Sequence, residues 1–578
     1  MIPHWGVGED NLNLKRRKIM KKVLVGILSL AMVASLAACG SSSSSTTAAT
    51  TAAGGDSTTA AAETTEATTA DKGSQEAGQE SAVVEKVTMT DTATQTLSPF
   101  GTRASVPGMY EVYEMLFEAD AFTGEMEAVL ADDTKGEFGG YDHEEGTGVY
   151  TVYLKEGIYD QAGNDVTASD VAFSYNYSIE NAENSGWTSI QSVEADGDYT
   201  VVFTFDEEQT ALGALLNVFA RCAIVTEKAM NDSASSLATE MCGTGPYKFV
   251  SYSTGAELTI EADDNYWNKG TDRQESQQNV KTIVYEFIDE GSQKVNGLNT
   301  GKLDIAQDMS LDNLTDYQEG GQYADQFSVE SILNKFVYYL APNCGEESLC
   351  NDVNLRMAIM YAIDRQGLVT ALGGDSSPLT SYAVSYYPDY DMVDWASMDN
   401  YNTQDTVDSA KVKEYLDKSN YNGETLKLIT QGDSTPATVI AAQLAAQGIT
   451  VEVSVLDNSS LQTTSLDPTA WDLTFGMMAG DYNVTVWEHA FSYGNTGDGD
   501  HTSTFIYDDE WEEMLETCLS EEGHTSENME AWWQHCVDNA YAIGCYAANK
   551  YTVIPSNMTQ LYYGDKLTIL PGACTYAE

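Results

Sequence analysis

One segment of the chain, residues 40–79, cannot fold into a compact structure by itself. It consists almost entirely of Ser, Thr, Ala, Gly and Glu, with no aromatic residue and no Val, Ile, Leu or Met. Because it has so little apolar surface to bury, it cannot offset the conformational entropy that ordering would remove. We therefore expect residues 39–82 to form an extended tether; an O-glycosylated stalk is the alternative that composition alone leaves open.

A basic and then apolar segment precedes the tether. Six Lys and Arg residues lie between positions 15 and 22, and residues 23–36 are uncharged and apolar, too short for a membrane span of about 20 residues. Leu36-Ala37-Ala38-Cys39 follows and resembles a bacterial lipobox. The pattern predicts a signal peptide over residues 1–38, cleavage before Cys39 and a lipid anchor on its sulfur, with a secreted protein as the alternative. Since Met20-Lys21-Lys22 already forms the positively charged beginning of a signal peptide, we interpret Met1 as an upstream mis-start of translation and exclude residues 1–19 from the fold.

The remaining chain is acidic and rich in aromatic residues. It is long enough for two or three domains, so we expect a large core. The full sequence contains 89 Asp and Glu against 28 Lys and Arg, a formal net charge of -61. This balance argues against nucleic acid as a partner and against a polybasic contact with anionic lipid. We interpret it as a source of solubility, with attraction of cationic ligands as the alternative.

Eight cysteines follow the predicted lipid-anchored one. An even number outside the cell permits four disulfides, and the first pairs that we expect are Cys344–Cys350 and Cys222–Cys242. Free thiols in an anaerobic host are the alternative. None is at metal-ligand spacing with a histidine, so we predict no zinc site and no cofactor. The eight are Cys222, Cys242, Cys344, Cys350, Cys518, Cys536, Cys545 and Cys574.

Apolar periodicity predicts strands and capped helices along the body. Thr167 with Asp170 three residues later predicts a helix start, and Asp352 is expected to cap a helix over about 353–372, with Arg356 paired to Asp352. In the first half, alternation predicts strands over residues 149–154 and 199–205. In the second half, it predicts three strands, over residues 425–430, 450–456 and 471–476, with a helix between the first two of these three. Val455 is expected to face inward.

Several of these segments together resemble a known family. In chain order they are Leu154 to Gly163 with Thr167 to Val171, Gly243 to Tyr247 followed by Asp264-Asn265-Tyr266-Trp267, Leu298 to Ile305, and Arg356 to Arg365. In this order they resemble the extracytoplasmic solute-binding proteins of the peptide and nickel ABC-importer family. The resemblance extends over about residues 83–578.

The resemblance implies a two-lobed α/β fold of the periplasmic-binding-protein type. It would divide the chain into lobe I (residues 83–121, 237–335 and 550–578), an extra subdomain of lobe I (122–236) and lobe II (336–549). Strands crossing near Phe336 and Tyr551 would act as a hinge that closes on a solute. The resemblance further implies a protein that delivers oligopeptides or dipeptides to the permease subunits of an ABC importer, and we expect it to be a monomer. Together with the predicted lipid anchor and tether, this predicts a location on the outer face of a Gram-positive bacterial membrane.

The loop after the last predicted strand carries the candidate ligand site. A carboxylate at a strand end beside thioether and aromatic groups suits a desolvated ammonium group, and we expect Asp481, Tyr482 and Met478 to contact the ligand. In peptide-binding members of the family a matching Asp binds the peptide's α-ammonium, although here Gly480 replaces the usual alanine. A solvated loop aspartate is the alternative. Trp487 is also expected to line the cleft, with a core role as its alternative.

Other functions have weaker sequence support. The chain has no Gly-x-Ser-x-Gly, His-Glu-x-x-His or P-loop motif, so we predict no enzyme activity. His489 lies close to Asp481 in sequence, which leaves a nickel chelate open as the solute. A peptide-sensing lipoprotein with the same fold, and a surface adhesin, are further alternatives that the sequence leaves open.

Overall fold

The computed structural model describes most of the chain after the tether. It covers residues 81–100, 106–121, 124–181, 187, 189–374, 376–379, 383, 387–400, 406–480, 482–492, 503–564 and 567–577, except for the side chains of Lys335 and His489. The predicted signal peptide, Cys39, the tether up to residue 80 and Asp481 lie outside the described residues.

The described chain is a mixed α/β structure. Its strands are β1 (Val84–Asp91), β2 (Phe117–Ala119), β3 (Met126–Ala128), β4 (Tyr141–His143), β5 (Val149–Tyr153), β6 (Ile190–Ala195), β7 (Thr200–Phe205), β8 (Tyr247–Ser253), β9 (Glu257–Ala262), β10 (Val280–Phe287), β11 (Phe327–Pro342), β12 (Ser376–Pro378), β13 (Leu426–Gln431), β14 (Val451–Leu456), β15 (Leu473–Met478), β16 (Ile543–Pro555), β17 (Met558–Gln560), β18 (Tyr563–Gly564), β19 (Thr568–Ile569) and β20 (Thr575–Tyr576). Its α-helices are α1 (Met109–Val112), α2 (Ala168–Glu180), α3 (Ala214–Phe219), α4 (Glu227–Asp232), α5 (Gly291–Asn299), α6 (Val353–Ala362), α7 (Arg365–Ala371), α8 (Ser409–Lys418), α9 (Thr435–Ala446), α10 (Asn458–Ser465), α11 (Asn483–Phe491), α12 (Asp509–Leu519) and α13 (Ser526–Asn539).

The residues that the resemblance assigns to lobe I contain two four-stranded sheets, each with its own apolar core. The first has the order β1-β10-β9-β8, and the subdomain sheet has the order β4-β5-β7-β6. Because alternate side chains of a strand point to the same face, each sheet presents apolar residues to its core. Leu258 and Ile260 of β9 face one core, and Val201 and Phe203 of β7 face the other. Val225 and its neighbours pack with the first core, although they precede residue 237.

Lobe II is built on a six-stranded sheet with the order β12-β16-β11-β15-β13-β14. As predicted, β13 continues through helix α9 into β14, and β13 pairs in parallel with both β14 and β15. The expectation that Val455 faces inward is wrong. β14 is the edge strand of the sheet, and Val455 is 52% exposed.

Two long strands connect the lobes. β11 and β16 pair antiparallel along most of their length, and the pairing shifts register between Leu333 and Val337, an interval that contains Phe336. Near its start β11 packs through Phe327 in a core of lobe I, and near its end Leu340 packs in the core of lobe II. The irregular pairing between two well-packed ends is where we expect bending.

The predicted helix over 353–372 is two helices, α6 and α7. Asp352 caps α6 as predicted, but the Asp364 carboxylate accepts a hydrogen bond from the Gly367 amide at 2.8 Å and starts α7. The expected pair between Arg356 and Asp352 is also wrong. The buried Arg356 guanidinium instead donates to three backbone carbonyls, those of Cys350, Asn351 and Asn539.

The expected disulfides are wrong as well. All eight cysteines of the described chain are free thiols, and seven of them are buried. Cys222 packs in the subdomain core, whereas Cys242 packs against the other core of lobe I. Burial raises the pKa of Cys344 and of Cys350, which keeps both in the thiol form.

A buried carboxyl in lobe I predicts how stability depends on pH. Glu111 is 2% exposed and accepts a hydrogen bond from the Tyr285 hydroxyl, and burial raises its pKa to about 7. A carboxyl with a higher pKa in the folded chain than in the unfolded chain binds more protons when folded. Its contribution to stability is therefore fully present below the unfolded pKa near 4.5 and is lost as the pH rises through about 7.

We expect Glu111→Gln to remove this dependence. Relative to the parent protein, the variant should gain about 2–3 kcal/mol of unfolding free energy between pH 4.5 and pH 8, measured by denaturant unfolding. Glu156→Gln is the control because it removes the same charge from an exposed position. Equal pH profiles for both variants would contradict the assignment.

Candidate functional site

The candidate ligand loop lies at the carboxyl end of a lobe II strand. β15 ends at Met478 and helix α11 begins at Asn483, so the loop between them contains Asp481. In open α/β sheets such strand ends are where ligands bind. A Cβ atom on Gly480 would lie 2.7 Å from the Thr485 hydroxyl, which explains the glycine at a position where the family usually has alanine.

The structure places Met478 and Tyr482 at the two ends of this loop. Met478 is half-buried and packs against a small apolar cluster that includes Val337, Tyr387 and Val486. Tyr482 is also half-buried, its ring lies 5.8 Å from that of His524, and its amide donates to the Thr485 hydroxyl at 3.0 Å. Both residues remain candidate ligand contacts.

Trp487 is in the core of lobe II. Its side chain is 3% exposed and lies 5.6 Å and 5.3 Å, between ring centroids, from Trp532 and Trp533. It also packs 4.9 Å from Phe491 on the next turn of its own helix. This placement corrects the expectation that Trp487 lines the cleft: it matches the alternative, a core role.

Sequence reasoning missed Asp389, which holds the loop in place. Its carboxylate is 1% exposed and accepts hydrogen bonds from the Asn483 and Val484 amides, both at 2.9 Å, at the start of α11. Burial raises the pKa of Asp389, while these bonds and nearby His524 favour the ionised form. The residue caps a helix that starts 94 positions away, and no local pattern indicates that.

Tyr482 also reaches across to lobe I. A Cβ atom on Gly124 would lie 3.0 Å from the Tyr482 hydroxyl, and one on Gly213 would lie 3.9 Å from its ring. Gly124 lies between β2 and β3, and Gly213 is the residue before α3. The two glycines leave space for the ring, so the candidate loop faces the interface between the lobes.

Charged groups of both signs lie where the strands cross between the lobes. Burial raises the pKa of Asp91, at the end of β1, to about 6. Lys550 on β16 forms an ion pair with Asp308 at 3.5 Å. Partial burial raises the pKa of the Glu330 carboxyl on β11. The crossing region therefore carries both positive and negative side chains.

Comparison with known proteins identifies the family. Residues 126–500, more than half of the chain, match the family described as "Bacterial extracellular solute-binding proteins, family 5 Middle". The chain belongs to this family. The oligopeptide-binding protein AppA of Bacillus subtilis is 22% identical over 457 residues, which are 72% of this chain and 78% of AppA.

Solved structures share the fold of this family 5 solute-binding protein. AppA in complex with a nonapeptide matches with a TM-score of 0.59 at 18% identity, over 86% of this chain and 100% of AppA. HbpA2 from Haemophilus parasuis matches with a TM-score of 0.71 at 16% identity, over 86% of this chain and 100% of HbpA2. NikA from Staphylococcus aureus with Ni(L-His)2 matches with a TM-score of 0.58 at 17% identity, over 85% of this chain and 100% of NikA. These confirm the two-lobed fold.

Two further observations bear on partners of this solute-binding protein. Across the described residues, no three His, Cys, Asp or Glu side chains are grouped so that they could hold a metal ion. His524 and His535 are each engaged by protein atoms, the Cys518 carbonyl at 2.9 Å and the Asp508 carboxylate at 2.7 Å. No helix in the described part has both the length and the apolar character to cross a membrane.

We expect Asp389→Ala to destabilise the protein by about 2 kcal/mol, because it leaves two amides at a buried helix start without an acceptor. Asp433→Ala is the matched control: it also removes a carboxylate that accepts from a helix-start amide, that of Thr435, but at an exposed site. Urea unfolding of both variants measures the difference. A loss for Asp433→Ala as large as that for Asp389→Ala would contradict the capping role.

Proposed function

We propose that this chain is the solute-capturing component of an ABC importer and that its solutes are oligopeptides or dipeptides. The observation that carries the proposal is the loop of residues 479–482, which follows a lobe II strand and brings Tyr482 against Gly124 and Gly213 of lobe I. A solute held between the lobes would touch this loop as they close. Contacts with both lobes would then favour the closed state.

Charge and chemistry support a peptide. The Asp481 carboxylate would accept hydrogen bonds from the α-ammonium group of the peptide. The adaptable side chains of Tyr482 and Met478 would contact the rest of the peptide. The crossing strands offer Lys550 and Glu330 for further polar contacts. Among the relatives, AppA is named as an oligopeptide-binding protein, which favours the same class of solute here.

A nickel chelate is the second candidate, because the NikA structure that shares this fold contains Ni(L-His)2. Differential scanning fluorimetry separates the two. The melting temperature is compared without solute, with a mixture of tri- to pentapeptides, and with nickel plus histidine, since a ligand that binds only the folded state raises it. A rise with peptides alone supports the proposal. A rise with nickel and histidine alone supports a chelate, and a shift with neither argues against import of either solute.

We also propose that the protein is anchored through Cys39 to the outer face of a Gram-positive membrane and acts there as a monomer beside its permease. The support is the leader that ends at Leu36-Ala37-Ala38-Cys39 together with the tether that follows. Cys39→Ala should release the protein from cells into the medium. Retention in the membrane fraction would argue against the anchor. A lipoprotein that senses peptides would give the same result, and uptake of a labelled peptide by cells separates import from sensing.

A further inference from the structure

The two lobes meet through paired backbone segments away from the crossing strands. Ala211 of the subdomain forms an isolated antiparallel bridge with Ser520 of lobe II. The Leu212 amide donates to the Leu519 carbonyl, and the Glu521 amide donates to the Thr210 carbonyl at 2.9 Å. These two bonds satisfy backbone groups of one lobe with those of the other.

An apolar contact reinforces this pairing. Leu212 belongs to the subdomain by position, since Leu215 and Leu216 just after it pack in the subdomain core. The Leu212 side chain, however, packs against the core of lobe II. Separation of the lobes would expose that side chain to water together with two backbone donors and two acceptors.

None of these contacts is made by Asp481, Tyr482 or Met478, the residues expected to touch a solute. The bonds are between backbone atoms, and the Leu212 side chain packs against the core of lobe II. The free energy they contribute to closure is therefore present with or without a bound solute.

We propose that residues 210–212 and 519–521 form a clasp that holds the two lobes closed even when no solute is bound. The clasp makes closure a property of the chain itself, and a bound solute adds its own contacts to it. This inference rests on the lobe closure in the proposed function but not on which solute is bound.

Hydrogen exchange of the full chain, stripped of solute, tests the clasp. We expect Leu212→Ser to speed exchange of residues 517–523, on the opposite lobe, by about tenfold, the change expected when a partly buried leucine side chain is lost while both backbone hydrogen bonds stay available. Leu466→Ser is the control, since Leu466 is 63% exposed. Exchange of β9 residues 257–262 should stay unchanged in both variants, which shows that they fold. Unchanged exchange of 517–523 in Leu212→Ser would overturn the clasp.

A cross-link provides a second test that does not depend on Leu212→Ser folding. Ala211 and Ser520 form a non-hydrogen-bonded antiparallel pair, whose Cα atoms are typically about 4.5 Å apart, within the range that a disulfide spans. With oxidised glutathione as oxidant, the Ala211→Cys/Ser520→Cys double variant should form this disulfide without solute. The disulfide should then prevent peptides from entering or leaving the site between the lobes until it is reduced. Formation only after solute is added would overturn the inference. Because the hydrogen exchange and the formation of the disulfide are both measured without solute, failure to bind peptide leaves these two outcomes interpretable.

Discussion

Trp487→Ala is expected to lower the free energy of unfolding by about 3–5 kcal/mol, because it removes a buried indole from a cluster of three tryptophans. The ring is 3% exposed and contacts Trp532 and Trp533 in the core of lobe II. Denaturant unfolding at constant temperature measures the loss. The variant should also lose cooperativity if lobe II unfolds before lobe I.

Trp487→Phe separates packing from ligand contact. It keeps an aromatic ring in the core, so the loss of stability should be smaller, and peptide affinity should stay within about twofold of that of the parent protein. A large drop in affinity with nearly unchanged stability would mean that Trp487 touches the solute.

Asp481→Ala is expected to weaken binding of a peptide with a free amino terminus by about 2–5 kcal/mol, because it removes one partner of a desolvated charge pair. An N-acetylated peptide has no such charge, so its affinity should change little. Titration calorimetry with the two forms of one peptide measures both values. Asp433→Ala, at an exposed site before helix α9, controls for the loss of one negative charge. Equal losses for both peptide forms would place the amine site elsewhere.

Local structure was predictable where the signal lies within a few residues. Thr167 and Asp170 form the predicted capping box, with the Thr167 amide donating to the Asp170 carboxylate at 2.9 Å. The alternating strands β5, β7 and β13 are also where the sequence predicts them. The break between α6 and α7 was not predictable, because apolar periodicity continues across Ile363 and only the Asp364 cap marks the second start.

The candidate site was predictable only in part. The strand pattern predicts that Met478 and Tyr482 lie in the loop after a strand, and the structure places Met478 at the end of β15 and Tyr482 just before α11. The capping role of Asp389 and the core position of Trp487 depend on tertiary contacts with residues far along the chain. The pairing of Ala211 with Ser520 joins residues about 300 positions apart, and no local pattern carries information over that distance.

Native mass spectrometry of the protein purified without refolding tests the central claim most directly. Because closure around a solute slows its release, we expect protein carrying a heterogeneous set of added masses that are released as short peptides on denaturation. A single discrete adduct containing nickel, or protein that never acquires mass from a peptide mixture, would contradict capture of peptides.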